Sequence, residues 1–364
     1  MFGPQGYAIF TLLAIAFVAG FYAQHRTSNV GLQVAAAVMS FVVAAVFGMA
    51  AVNRFYDYYQ TWGDLYNDMT GTQAGVTPLP NLPSHENLQK AVGGADAPRF
   101  GRLLSVKLPG AQSHISRTGL IYLPPQYFQA PYGSYRFPVI ELIHGSPGKP
   151  YDWVGALHVT RVLSDLVSKG RAAPTVLVMP DVNGGEDAAA SQCVDEANGP
   201  KDDTYVSTDV PADVTSAFRV QPQGAHWGIS GYSEGGFCAA NIALRHPLQY
   251  AAAAPMSGYF QPVPERGVDQ FGGNATARLA NDPYWLAEVH QRTAPLPAFW
   301  LMAGATDRSD VMAAQTMAVL LDHFGRAQVD VVPRVSHTFA AWIPALPPML
   351  SWESTLLTHG IPPP

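Results

Sequence analysis

The sequence predicts an α/β fold with a mainly parallel sheet and helices on both faces, preceded by a helical hairpin in a membrane. Three observations carry this. From Arg99 onward, short apolar runs alternate with segments of helical spacing, the pattern of strands joined by crossover helices. Within that alternation, Gly231-Tyr232-Ser233-Glu234-Gly235 separates a strand-like run, 226–230, from a small-residue stretch, 236–245, that reads as a helix. Ahead of it all, residues 7–23 and 30–52 carry no charge, and a spanning helix needs about 20 apolar residues.

The composition agrees. A chain of 364 residues suits one large α/β domain plus something extra. Only 13% of residues are charged, against the usual quarter, and almost no charge occurs before Arg54. The net charge of −6 argues against nucleic acid as a partner. Two cysteines, Cys193 and Cys238, are too few for a disulfide framework or a zinc site but allow one bridge.

In chain order, the first element is the hairpin. Its two apolar stretches flank the polar turn Gln24-His25-Arg26-Thr27-Ser28-Asn29. A cleaved signal peptide would carry Lys or Arg before the apolar run, and none is there. Both stretches are apolar on all faces, which counts against a buried core hairpin. His25 and Arg26 bias the turn to the cytoplasm and both ends to the outside. An aromatic stretch, 55–66, and a Gly/Pro/Asn/Ser-rich linker, 70–97, follow. The expected division is 1–53 for the two-span hairpin, 54–100 for juxtamembrane segment and linker, and 101–364 for the catalytic domain.

Strands are expected at 102–108, 119–123, 138–143, 175–179, 226–230, 251–255, 298–302 and 328–332. Helices are expected at 153–167, 209–218 with Asp209 as cap, 236–245, partly over 275–290, 309–324, and 340–357 with proline interruptions.

A serine on a sharp strand-to-helix turn is the nucleophile elbow of α/β-hydrolases, so this is the fold expected for the catalytic domain. Serine needs a base within hydrogen-bond reach and a group to orient that base. In this fold the acid and then the histidine follow the serine. His337 lies just past the last strand, where ligands bind in open sheets. Asp307 lies in the loop after the preceding strand and is the expected acid. Asp310, close behind, suits the first turn of the next helix, where a carboxylate favours the dipole. The expected oxyanion donors are the backbone N–H groups of Glu234 and of Ser146, the latter in the His144-Gly145-Ser146 loop. Asp181, Asn183, Glu186, Asp187, Asp195 and Glu196 make the loop after Met179 acidic. Its spacing is not that of an EF-hand, and it reads as a solvated loop. No zinc pattern, dinucleotide fingerprint or P-loop occurs, and neither metal nor cofactor is expected.

These residues carry a resemblance. His144-Gly145, Gly231-Tyr232-Ser233-Glu234-Gly235-Gly236, Gly304 with Asp307, and His337 followed by Trp342 resemble the "Putative esterase" family over about 102–352. That family includes esterase D and the antigen 85 mycolyltransferases. The resemblance implies a Ser-Asp/Glu-His triad and ester hydrolysis or acyl transfer. With the hairpin in front, the chain resembles actinobacterial membrane-anchored esterases. Two positions depart from the pattern. Glu234 replaces a hydrophobic residue, often Met, and His144 stands where a mycolyltransferase has an acidic sugar-binding residue.

The expectation is a membrane-anchored serine esterase or acyltransferase with an extracytoplasmic catalytic domain. Its substrate would be an ester, such as an acyl-lipid or acyl-sugar, and no cofactor is needed. The alternative is an inactive hydrolase-fold binding or scaffold module of the cell envelope. A Cys193–Cys238 bridge is expected to tie the acidic loop to the helix behind the elbow. Outside the cytoplasm nothing keeps those thiols reduced.

Overall fold

The computed structural model describes residues 3–56, 58–70, 73, 75–79, 82, 92, 94, 96–185, 188–265, 267, 269–290, 295–322, 326–362 and 364. Glu186 and Asp187 of the acidic loop, most of the 70–97 linker, and 323–324 at the end of an expected helix lie outside the described residues. The chain divides into two compact units. One is Met1–Ala74 with Thr338–Ala340, and the other is Gly75–His337 with Ala341–Pro364.

In the first unit, α1 (Tyr7–Arg26, 20 residues) and α2 (Val30–Tyr56, 27 residues) pair side by side. At 1.5 Å per residue, 20 residues make about 30 Å, the thickness of a bilayer's hydrocarbon. Both helices are long and apolar enough to cross a membrane. The helices approach closely where Gly20 meets Ser40: a Cβ on Gly20 would lie 2.6 Å from the Ser40 hydroxyl. Small residues permit such close approach of two helices. Farther along, the Phe10 and Phe47 rings pack edge to face at 5.3 Å. At the end of α2, Asn53 exchanges two hydrogen bonds with the Tyr59 backbone, which turns the chain into α3 (Trp62–Thr70).

The second unit is built on a nine-stranded sheet in the order β1-β2-β3-β5-β4-β6-β7-β8-β9. The strands are β1 (Val76–Leu79), β2 (Arg102–Pro109), β3 (Ser116–Leu123), β4 (Val139–Ile143), β5 (Val176–Met179), β6 (Gly224–Tyr232), β7 (Tyr250–Met256), β8 (Ala298–Gly304) and β9 (Ala327–Val332). From β5 through β9 every pairing is parallel, and β3 pairs antiparallel with β2 and with β5. This is the α/β-hydrolase arrangement. Every residue of β4 and β5 is buried, which is why those strands read as continuous apolar runs rather than alternating ones. The sheet also recruits β1, from within the expected linker, which pairs parallel with β2.

Three helices differ from expectation. The expected 153–167 helix is two pieces, Asp152–Gly155 and α4 (Val159–Ser168), broken at His158, which has a left-handed φ of 51°. Val159, Leu163 and Leu166 then share the buried face of α4. Asp209 does not cap α5 (Val210–Ala217). Its carboxylate instead accepts the backbone N–H groups of Gln112 and Ser113, at 2.9 and 2.8 Å, tying the β2–β3 turn to the helix. The C-terminal helix, Phe339–Leu357, runs unbroken through Pro344, Pro347 and Pro348. Each proline costs roughly 3 kcal/mol in a helix interior. Burial of Trp342, Leu346, Met349, Leu350 and Leu357, at roughly 2 kcal/mol each, is of the same order and holds the helix together.

Two of the buried carboxyls are each met by a hydroxyl. Glu141 on β4 accepts from the Tyr250 hydroxyl at 2.6 Å, and Glu353 accepts from the Ser230 hydroxyl at 2.7 Å. Among the described residues no cation partners either side chain, and burial pushes each up to about 8. The unfolded chain ionises from about 4.5 upward while the folded chain keeps both protons, so stability falls as pH rises between about 4.5 and 8. Glu353→Gln removes one of these titrations. Its melting temperature is expected to fall less steeply than wild type between pH 5 and 8, measured by thermal denaturation across pH.

Candidate active site

The elbow is set by crowding. Ser233 follows β6 directly and precedes α6 (Glu234–Arg245). The chain reverses there with φ 58° and ψ −121° at Ser233, a region costly for a residue with a side chain. Its neighbours leave no room for one. A Cβ on Gly231 would lie 2.1 Å from the Gly235 carbonyl oxygen, and one on Gly235 would lie 2.2 Å from the Ile143 oxygen. The Ser233 N–H donates to the Met256 carbonyl at 2.9 Å, which locks the turn to β7.

The structure brings His337 to the serine. Its Nε2 lies 2.9 Å from Ser233 Oγ and its Nδ1 lies 2.8 Å from Asp310 Oδ2. The Trp342 indole stacks edge-on to the imidazole at 5.4 Å and donates to Ser257 Oγ at 3.1 Å. The histidine-to-tryptophan spacing thus orients the base.

The carboxylate on the imidazole is Asp310, not Asp307. Asp307 is the N-cap of α7 (Arg308–Leu321). Its Oδ1 accepts from the Ser309 and Asp310 N–H groups, at 3.1 and 3.2 Å, and from the Ser309 hydroxyl at 2.5 Å. The Ser309 hydroxyl leads the interactions that hold the Asp307 carboxyl below its usual value, with His337 a lesser contributor. A capping side chain turns back onto its own helix, whereas the third helical residue projects off the end of the helix and can reach a neighbouring loop. Asp307, Asp310 and His337 present ligand-type atoms within 4.8 Å of one another. The His337–Asp310 hydrogen bond accounts for that clustering.

Glu234 and Ser146, whose N–H groups are the expected oxyanion donors, lie on the two segments next to the elbow. Glu234 is the first residue of α6. Ser146 follows Gly145, where an added Cβ would lie 3.1 Å from Ser233 Cβ and 2.9 Å from the Tyr232 ring. Tyr232 ties this loop to the elbow: its hydroxyl donates to Asp152 Oδ2 at 3.1 Å, and the same oxygen accepts the Lys149 N–H at 2.9 Å. His144 is buried, with Nδ1 on the Gly145 carbonyl at 2.8 Å and Nε2 accepting the Val182 N–H at 3.2 Å. It braces the loop. His246 pairs with Asp203 at 3.1 Å, at the far end of α6 from the serine.

The loop after β5 is not the solvated loop expected. Asn183, Ser191, Gln192 and Cys193 are buried. Glu234, itself buried, accepts Asn183 Nδ2 at 2.9 Å and the Gln192 N–H at 2.8 Å. Cys193 and Cys238 are bridged, with Cα atoms 5.4 Å apart. The acidic residues of this loop therefore serve in part as internal acceptors: Asp181 takes the Asn183 and Gly184 N–H groups, and Asp195 takes the Thr204 N–H and hydroxyl. Glu234 carries the signal that composition alone hides, an acidic residue in a helix whose face is otherwise apolar.

Comparison with known proteins follows the same lines. Residues 113–352 match the family described as "Putative esterase". A Corynebacterium glutamicum protein of uncharacterized function is 27% identical over 362 residues, covering 95% of this chain and 79% of that protein. Among solved structures, the fluorophosphonate-binding serine hydrolase FphF of Staphylococcus aureus superposes with a TM-score of 0.58 at 18% identity, covering 70% of this chain and 98% of that one. Mycobacterium tuberculosis MPT51 (FbpC1) superposes at 0.52, also at 18% identity, over 70% of this chain and 98% of that one. The chain belongs to the Putative esterase family, as a carboxylic ester hydrolase with the α/β-hydrolase fold.

Proposed function

We propose that the protein is a membrane-anchored serine ester hydrolase working through Ser233, His337 and Asp310. The observation that carries this is the hydrogen-bonded chain from Ser233 Oγ through His337 to Asp310, at 2.9 and 2.8 Å. Ser233 Oγ attacks the ester carbonyl carbon while His337 Nε2 takes its proton. The tetrahedral oxyanion is held by the Glu234 and Ser146 N–H groups. As the intermediate collapses, the ester C–O bond breaks, His337 returns the proton to the leaving alcohol, and an acyl-enzyme remains. Asp310 holds the imidazole with Nδ1 protonated and stabilises the imidazolium that forms. Water, activated by His337, then releases the acid. An acceptor alcohol in the same place would complete an acyl transfer instead.

The anchor in this reading is the hairpin α1–α2, with both chain ends outside the cytoplasm and Arg26 in the cytoplasmic turn. The apolar character of both helices supports the anchor. The Cys193–Cys238 bridge supports an oxidising compartment for the catalytic domain.

Three outcomes follow. Ser233→Ala abolishes labelling by a fluorophosphonate and lowers short-chain ester turnover on the order of 10³-fold or more, and adding His337→Ala makes it little worse. Wild-type protein that takes no label would support the scaffold alternative. Asp310→Asn lowers turnover about 10²-fold or more, whereas Asp307→Ala loses a helix cap, about 1 kcal/mol of stability, and keeps most of its turnover; steady-state kinetics with thermal melts separate the two. A reporter enzyme fused after Pro364 is active only in the extracytoplasmic compartment, and cytoplasmic activity would reverse the orientation.

A further inference from the structure

We propose that the Glu234 side chain is a positioning residue. Together with the Cys193–Cys238 bridge, it clamps Asn183 and the 191–193 segment to the start of α6 and thereby fixes its own backbone N–H where the oxyanion forms. This rests on the reading of Ser233 as nucleophile and of that N–H as oxyanion donor.

The clamp has two points on each side. On α6, Glu234 and Cys238 are four residues apart and so share one face of the helix. On the loop, Gln192 and Cys193 are adjacent. The Gln192 N–H donates to Glu234 Oε1 at 2.8 Å, and Cys193 is bonded to Cys238. Gln192 and Cys193 both have left-handed backbone, with φ of 51° and 46°, a conformation that persists only where surroundings enforce it. The other carboxylate oxygen, Oε2, accepts Asn183 Nδ2 at 2.9 Å. Asn183 is in turn held by the Ser191 N–H, which donates to its Oδ1 at 2.9 Å. Gln192 extends the clamp to the segment after β7: its amide nitrogen donates to the Val263 carbonyl at 2.5 Å, and its oxygen accepts the Val263 N–H at 2.9 Å. A carboxylate 2% exposed, whose two oxygens are both engaged by one loop, is a fastening.

Its consequence for chemistry comes from its place. Glu234 supplies the N–H immediately after the nucleophile, so whatever moves its side chain moves that donor. Truncation leaves Asn183 Nδ2 and the Gln192 N–H buried without their acceptor, and the loop can regain partners only by shifting. An oxyanion donor displaced by about 1 Å loses much of its effect.

The test uses the full chain in four variants: Glu234→Ala, Glu234→Gln, Cys193→Ser with Cys238→Ser, and this pair combined with Glu234→Gln. Turnover is measured with p-nitrophenyl butyrate, and active sites are counted with a fluorophosphonate. Glu234→Ala is expected to lower kcat about 10-fold or more with KM within about twofold. Glu234→Gln recovers part of that loss, because its amide oxygen still accepts the Gln192 N–H. The combined variant loses more than the product of its parts, because each tether covers for the other. Wild-type kcat in Glu234→Ala, a change confined to KM, or Gln as impaired as Ala would overturn the clamp. Should Glu234→Ala not fold, simple multiplication of losses in the combined variant would overturn it. If wild-type protein takes no fluorophosphonate, the nucleophile reading fails and the clamp's role with it. Labelled wild type with unperturbed Glu234 variants sinks the clamp alone.

Discussion

The structure depends on the contact between the end of β6 and the start of α6. Backbone from the elbow, from β4 and from β7 meets there at separations no side chain tolerates. Ser233 is held at positive φ by that convergence, and its N–H is consumed by Met256. The strain is stored at the residue whose side chain must be presented, which is where such strain is functional. Once the serine is fixed, the parallel sheet delivers the rest. The loops after β4, β5, β8 and β9 all emerge at the C-terminal ends of parallel strands, so Gly145, Asn183, Asp310 and His337 collect around one point.

Around that point several polar groups are buried against specific partners. Asp152 receives Tyr232 and Lys149, Ser257 receives Trp342, and Glu234 receives Asn183 and Gln192. In a low-dielectric surrounding a satisfied polar contact specifies geometry and an unsatisfied one is costly. The shape of the site is therefore set by a ring of hydrogen bonds one layer behind the reacting atoms. The core carboxyls Glu141 and Glu353 are a different case. Each is met by one hydroxyl, and burial raises both so that they stay protonated to about pH 8.

The N-terminal unit is patterned differently. Its two helices expose apolar side chains such as Leu12, Phe21, Val34 and Phe41. They meet through small residues, Gly20 against Ser40. The catalytic unit does the opposite, hiding β4 and β5 entirely. The low charge overall is the sum of these two regimes.

What the sequence determined by itself were the features encoded in neighbouring residues. Alternation and apolar runs determined the strands and helices of the catalytic domain, and uninterrupted apolar length determined α1 and α2. The glycines around Ser233 marked the elbow, because the steric demand they relieve is local. Other features depended on partners distant in the chain. Asp307 and Asp310 are equivalent in sequence, and an imidazole 27 residues beyond Asp310 meets the second because the first is taken up by its own helix. The acidic loop read as solvated because charge usually is, yet Glu234, on another element, draws its amides inward. Val76–Leu79 looked like linker until β2 offered it an edge, and three prolines looked like breaks until the core supplied burial to outweigh them. Local sterics and hydrophobic period are written in consecutive residues, whereas the choice among equivalent polar partners is made by whichever group the fold brings within hydrogen-bond reach.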